Sequence, residues 1–588
     1  MDVSPVSGAY GEIDHSLFLS ESFESLFNKP EFSDVTLIID EERFEVHKIV
    51  LAARSEYFRA LFYGGMKESE YQSITINEKN KAAFRLLMKY IYCGRLTLEG
   101  HKEDMVLDVL ALAHKYGFPK LQCSISDYLK AVLNTRNLCN IFNISLLFSL
   151  KDLTEYCLVF ADRNASEIVT TDGFSQLSLG AVTQLISRDS FCAPEIEIFN
   201  AIREWIRYDF SARDSSSQTL MKCLRLPLIG QSDLLNVVRP SNLLDPDTLL
   251  DAIEEQTKKR TTDLMHRGFM TPDVNVATAQ LRATVIYGES PNNLLSGGEP
   301  PAGNMYETDL FLTRHSIGDE KGVTIQLGNP YIINTLRFNF PDRDSRMYSY
   351  VIYVSMDCKD WVRVVDYSKY LCRARQIIHF CPRVVRFIRI VGTHNSESRV
   401  VHLYSFEACY LHDIPLIDES NGVIVPSTNV ATIENFATVV EGVARCRNCL
   451  LNGEVSGYDW DTGYTCHQLE SGSITIQLNQ PYKISSMRML LWDCDDRYYS
   501  YYIEVSTNRE NWIRIADRTK LQCRSWQMIE FDPQIVVFIK IVGVYNSANE
   551  VFHCVHFECP GDKNATEVGS RSVLSSPPHL VNYINYIP

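Results

Sequence analysis

Positive charge is scarce in this 588-residue chain: 57 Lys and Arg stand against 73 Asp and Glu, for a net charge of −16. A field of that sign opposes phosphate backbones and anionic membrane surfaces, so no nucleic acid is expected as a partner. Long apolar runs are missing too. The best stretch, Leu138 to Leu150, is broken by Asn140 and Asn143 and falls short of the roughly 18 residues that span a bilayer. No basic residue precedes Lys29, so the opening MDVSPVSGAYGEIDHS has neither the charged nor the apolar part of a secretory leader. The 17 cysteines are odd in number and scattered, and without a leader they are expected as reduced thiols. These absences lead to an expected cytoplasmic location with no transmembrane segment. Catalytic signatures are also absent: there is no phosphate-cradling glycine loop, no H-E-x-x-H and no G-x-S-x-G.

What remains is an ordinary globular composition, 45% hydrophobic and 22% charged, with 30 Tyr and 28 Phe that favour sheets. The length predicts roughly four domains. An internal repeat places two of them. Thr324-Ile-Gln-Leu and the residues after it match the stretch from Thr475 at an offset of 151 that persists without a gap to Phe406-Glu407 and Phe557-Glu558. About 40 of roughly 85 aligned positions are identical, far beyond coincidence. Both copies alternate at period two, as in Tyr502-Ile503-Glu504-Val505-Ser506 and Phe538-Ile539-Lys540-Ile541, with turn residues between the runs. With Trp512 and the terminal Phe557-Glu558, this pattern resembles the discoidin, or coagulation-factor type C, family. The resemblance implies eight-stranded jelly rolls that bind ligands with loops at one end. Extracellular relatives often join their termini by a disulfide, which the reduced thiols put aside here.

The first half differs. Phe32 to Ile39 alternates as a strand, Arg43 to Val46 follows, and His47 to Phe58 turns helical. Phe84, Leu87, Met88 and Ile91 recur at helical spacing up to Gly94, and a further helix from about Glu103 ends at Gly117 with Pro119 beyond. The Asp34/His47 pair, Ala52-Ala53-Arg54-Ser55-x-x-Phe58 and Ala113-x-x-Tyr116 resemble the BTB/POZ family. Leu185 to Phe191, Ala193-Pro194-Glu195 and Phe199-x-x-Ile202-x-x-Trp205 resemble the BACK family that follows it. The expected fold class is multidomain, α+β and all-β. An α/β BTB/POZ domain (14–130) leads to a helical BACK domain (133–253) and a linker (254–290). Two β-sandwich domains of the discoidin-like jelly-roll type (291–412 and 425–560) and a disordered tail (561–588) complete it.

Each functional motif has a bland counterpart. Met66-Lys67-Glu68 matches the hydrophobic-x-Glu element of cullin-3-binding BTB proteins, and Tyr57, His114 and Tyr116 are the expected neighbours in that groove, with Phe58 assigned to the core. The Asp34/His47 pair is expected to satisfy itself near the core, because no nucleophile accompanies it. In the repeats, Asp342, Asp344 and Arg346 match Asp493, Asp495 and Arg497, and pairing of acids with the arginine is favoured over cation binding. The stronger ligand candidates are the aromatic and acidic loop residues Tyr458, Asp459, Trp460, Asp461, Tyr464 and His467. Tyr306, Asp309, Phe311, Arg314 and His315 stand in roughly corresponding places in the first copy. Such a mixture suits a basic or aromatic peptide, and strand-end packing is the alternative. Trp492 is replaced by Pro341 and Trp526 by Arg375; Trp526 is assigned to the core, and Trp492 is left open between core and ligand contact. Cys446-x-x-Cys449 with His553, Cys554, His556 and Cys559 lacks the paired spacing of a zinc finger, so no metal and no cofactor are expected.

The resemblance implies a non-catalytic substrate-recognition adaptor of a cullin-3 RING ubiquitin ligase. It would form a homodimer through the BTB domain and recruit an unknown protein substrate with the repeats. The alternative is a dimeric interaction scaffold at synaptic or vesicular membranes, for which pelleting with liposomes is the discriminating observation.

Overall fold

Alternation at Val35, Leu37 and Ile39 produces β1 (Val35–Ile39), which turns through Asp40 and Glu41 into β2 (Glu42–Val46). Both turn residues have positive φ, 44° and 72°, the conformation whose twist matches a two-residue hairpin. A parallel strand, β3 (Ser73–Thr75), completes a sheet of order β2-β1-β3. Helices α1 (Ser16–Leu26), α2 (Lys48–Arg54), α3 (Glu56–Tyr63), α4 (Lys81–Cys93), α5 (Glu103–Lys115) and α6 (Pro119–Val132) accompany it. In α4 the expected face is the buried one: Phe84, Leu87, Met88 and Ile91 all face the core. Asn80 caps its start by accepting from the N–H groups of Ala82 and Ala83, and Gly94 ends it at φ 71°. The helical run continues through α7 (Leu138–Leu147), α8 (Lys151–Arg163), α9 (Ala165–Ile168), α10 (Leu179–Ile186) and α11 (Glu195–Tyr208). Trp205 is buried there and donates its indole N–H to the Leu177 carbonyl at 2.8 Å.

The computed structural model describes residues 15–65, 71–289, 294–296, 312–342, 344–418, 420–461 and 463–561. It divides into two compact units, Met1–Leu224 with Leu235–Leu244, and Arg225–Leu234 with Asp245–Pro588. Contacts divide the connection between the units differently from the sequence domains. Residues 225–234 and 245–253, placed with BACK from the sequence, cluster with the second unit, where Gln256 of the helix Pro246–Lys258 donates to the Pro227 and Ile229 carbonyls. The stretch 254–290 is no free linker either. Phe269 exchanges backbone hydrogen bonds with Pro330 and Ile332, and β4 (Thr284–Tyr287) joins a sheet of the first repeat.

That sheet continues with β5 (Thr313–Ser316), β6 (Val323–Asn339), β7 (Tyr348–Ser355), β8 (Val362–Cys372), β9 (Arg375–Asn395) and β10 (Val400–Cys409). Its order is β5-β10-β6-β9-β7-β8, with β4 beside β6. The second repeat builds the same pattern from β11 (Thr438–Glu441), β12 (Thr465–Gln468), β13 (Ile474–Leu491), β14 (Tyr499–Ser506), β15 (Ile513–Asp517), β16 (Trp526–Asn546) and β17 (Val551–Glu558), in the order β12-β17-β13-β16-β14-β15. Each copy has seven described strands where the family implies eight. The long β6/β9 and β13/β16 pairs bend at β-bulges, which lets one strand serve where two shorter ones would. Matching braces hold both copies: the His315 ring accepts from the Gly392 N–H at 3.0 Å, and His467 from Gly543 at 2.9 Å. Glycine is required there, since a Cβ on Gly543 would sit 2.4 Å from the Phe552 ring. All 17 cysteines carry free thiols.

The two repeats are joined directly. The corner between β8 and β9 of the first meets residues 477–482 of the second through six hydrogen bonds that link Leu371, Arg373, Arg375, Gln376 and Ile377 to Gln477, Asn479 and Gln480. Tyr482 is buried beside them.

Candidate functional site

On the first unit, Ser55 caps α3 by accepting from the Phe58 N–H, and its own hydroxyl donates to the Tyr116 carbonyl at 2.7 Å. This ties α3 to the end of α5. Phe58 and Phe62 turn inward, while Tyr57 stays 40% exposed, its ring edge-on to Tyr116 at 4.9 Å. Tyr116 itself is fully buried, stacked on Phe58 at 5.0 Å, with its hydroxyl donating to Glu78. The expectation of Tyr116 as a groove residue is therefore corrected: it forms the floor under Tyr57. Burial and the neighbouring Glu78 carboxylate push its hydroxyl pKa well up. His114 is exposed and stacks on Phe148 at 4.7 Å. Met66 and Glu68 lie outside the described residues, directly after Gly64-Gly65. Asp34 and His47 do not bond to each other. Asp34 accepts from the Lys48 N–H at 2.7 Å, and His47 contacts the Tyr92 hydroxyl at 2.9 Å.

On the second repeat, a ring cluster forms where the loop before β12 crosses the ends of β13 and β17. Trp492 lies buried at its base. Trp460 covers it at a centroid distance of 4.2 Å, with Tyr464 at 5.5 Å and Tyr458 at 5.7 Å. His553 meets Tyr464 edge-on at 4.9 Å, and the Arg497 guanidinium lies 4.9 Å from the Trp460 ring centre. Asp495 holds that guanidinium at 2.6 Å, and Asp493 accepts from the Tyr458 hydroxyl. Burial, and then the Arg497 charge, drive the His553 pKa down to about 4, so its ring is neutral at ordinary pH. Trp460 remains 47% exposed, with Asp459 and Asp461 exposed beside it. An accessible indole over a rigid aromatic base, rimmed by carboxylates, can take a flat or cationic side chain.

The remaining candidates sort by position. His467 is buried, its Nδ1 side bonded to the Gln468 carbonyl and its Nε2 to Gly543, so it braces strands and faces no ligand. His315 does the same in the first copy, while Arg314 pairs with Glu289 at 2.9 Å. Tyr306, Asp309 and Phe311 lie outside the described residues. Trp526, assigned to the core from the sequence, is 39% exposed because it starts β16 at an uncovered corner, with Arg488 packed 4.5 Å from its ring centre. The acidic turn is built from Arg–Asp pairs in both copies, Arg346 with Asp344 and Arg497 with Asp495. Among the described residues no group of three or more His, Cys, Asp or Glu is arranged to hold a metal, and Cys446 points outward while Cys449 is buried. Gln376 and Gln527, which organise the β8–β9 corner and its counterpart in the second repeat, escape a reading by motif. Their signal is nonetheless present: both are Gln at equivalent places in the repeat.

Family models match in the same order along the chain: BTB/POZ domain at residues 23–133, BTB And C-terminal Kelch at 138–239, and F5/8 type C domain at 295–406 and 447–557. BTB/POZ domain-containing protein 9 of Homo sapiens is 50% identical over 560 residues, covering 95% of this chain and 90% of that protein. The Drosophila melanogaster protein of that description is 46% identical over 537 residues, 91% of this chain and 73% of the other. Human Kelch-like protein 26 is 31% identical over 237 residues, 40% of this chain and 38% of that one. No helix among the described residues is long and apolar enough to cross a membrane. With half of all positions identical across nine-tenths of both chains, this protein belongs to the BTB/POZ domain-containing protein 9 family.

Proposed function

We propose that the chain is a non-catalytic substrate-recognition adaptor of a cullin-3 RING ubiquitin ligase, working in the cytoplasm. The observation that carries this reading is the order of its domains: a BTB/POZ domain runs directly into BACK helices, an order with which Kelch-like protein 26 aligns over 237 residues. The surface supports it. Tyr57 and His114 are exposed on the BTB domain, which also carries Met66 and Glu68, an apolar group and a carboxylate suited to a partner groove with a basic rim. Helix α1 buries none of its residues and presents Leu17, Phe18, Leu19 and Phe23, an apolar face that supports a homodimer. The repeats then capture a substrate, with Trp460 as the aromatic anchor of the second. Ubiquitin transfer belongs to the RING machinery, and the adaptor contributes effective concentration and two-fold avidity.

Purified chain is expected to co-elute with cullin-3. Met66→Asp combined with Glu68→Lys is expected to weaken binding at least about tenfold, or about 1.4 kcal/mol. Unchanged binding would remove the adaptor reading. Phe18→Asp on α1 is expected to halve the mass seen by light scattering, while the circular dichroism spectrum stays the same.

A further inference from the structure

The joint between the repeats shows what the β8–β9 corner binds. Arg373 and Gln376 both donate to the Asn479 carbonyl, at 2.9 Å each, and the Asn479 side chain donates to the Arg375 carbonyl at 2.6 Å. The Gln480 carboxamide takes the Ile377 N–H at 2.7 Å and returns its own NH2 to the Ile377 carbonyl at 2.9 Å. One side-chain amide thus reads both backbone groups of a strand edge, as a neighbouring strand would.

The second repeat contains the same corner, already formed. Gln527 donates to the Arg524 and Trp526 carbonyls at 3.0 and 3.1 Å and accepts from Tyr501 at 3.2 Å. Gln376 makes the corresponding bonds to Arg373, Arg375 and Tyr350 at 2.7, 3.2 and 2.9 Å. Only the third acceptor, the one brought by the other repeat, has no counterpart. The Arg524 N–H, equivalent to that of Arg373, has no hydrogen-bond partner among the described residues. Leu521 and Met528 are 46% and 56% exposed around it. The chain's own matching segments are engaged: 477–482 holds the first repeat, and in the equivalent stretch of the first repeat Gly328, which replaces Asn479, is packed against Leu281 and Arg282.

We propose that the corner 521–528 is a docking site for an extended segment of a partner protein that carries a side-chain carboxamide, bound as Asn479-Gln480 is bound by the first repeat. An acidic residue a few positions after the carboxamide fits best, because Arg518 stands where the first repeat has the buried Tyr367, and Lys520 is close in sequence. This deepens the substrate-capture half of the adaptor reading and rests on it.

The probe is a labelled heptapeptide that copies residues 477–482 and adds a C-terminal aspartate, titrated by anisotropy into the full chain. Saturable binding is expected, weakened at least tenfold by Met528→Arg and by Gln527→Met. Met528 is mostly exposed, so its replacement leaves the fold to stand if Gln527→Met does not. No saturation, or affinity indifferent to Met528→Arg, overturns the proposal. A tenfold gain in a chain ending at Gly561 would make the chain's own tail the occupant and also overturns it. Assembly beyond the dimer that Met528→Arg abolishes, without peptide binding, would assign the corner to a second copy and overturns it equally. Cullin-3 co-elution is read separately on each variant, so a failed peptide titration leaves the adaptor reading standing.

Discussion

Acidification from pH 7 to 4 is expected to lower the stability of the unit that carries the repeats by several kcal/mol. His379 and His553 are buried, and their pKa values are driven down to about 4, first by burial and then by the charges of Arg337 and Arg497. His315, His467 and His556 shift in the same direction, with burial leading in each. In the unfolded chain these rings regain an ordinary pKa near 6.5 and bind protons that the fold refuses. Their contribution is therefore complete above about pH 6.5, falls as pH drops through the window from 6.5 to 4, and is gone below it. For His379 and His553 alone the loss is on the order of 3 kcal/mol each, a large share of the 5–15 kcal/mol typical of a folded domain. Urea midpoints measured between pH 7 and 4 should fall steeply, and His379→Gln with His553→Gln should flatten the slope. A level profile in the parent chain would show that these rings are not held neutral by the fold.

Trp492→Ala is expected to produce the largest loss from a single side chain. The ring is buried under Trp460, Tyr464 and Tyr458, and its removal leaves a cavity that rigid neighbours fill poorly, for a cost of about 3–5 kcal/mol. Near-ultraviolet circular dichroism should lose intensity as well, because the Trp460–Trp492 pair at 4.2 Å disappears. Trp460→Ala, by contrast, removes a half-exposed ring and should cost much less stability, while weakening the substrate capture proposed for it. Equal destabilisation by the two would mean that Trp460 is a core residue and no anchor.

The sequence makes the architecture visible because its signals repeat. The offset of 151 residues runs through two whole domains, and the α4 periodicity at Phe84, Leu87, Met88 and Ile91 has one reading only. Exposure is harder to see. Trp492, just past the end of β13, and Trp526, the first residue of β16, are the same residue type, yet one is buried and the other half-open, because alternation separates two faces without saying which face is covered. Tyr116 follows the end of α5, where the chain direction, not the residue type, decides whether a ring faces in or out. His467 neighbours the aromatic loop in sequence, but strand β12 turns it inward. The joint between the repeats is hidden for a different reason. Gln376 and Gln527 are identical and make the same local bonds, so what separates them arrives from 103 residues away at Asn479 and Gln480.

The joint also has a consequence for solubility. It unites two different faces of one fold, and a head-to-tail contact of that kind closes into a ring where its rotation allows and otherwise adds units into a filament. Here growth is blocked at one end. The equivalent stretch of the first repeat is covered by its own chain: a Cβ on Gly328 would lie 2.1 Å from the Leu281 carbonyl oxygen and 3.0 Å from the Arg282 Cβ, so another molecule's corner finds no room there. The tandem pair is thus a polymer of length two with one end sealed. A change that lifts Leu281 and Arg282 off Gly328 would open that end to a second copy's corner and favour self-association.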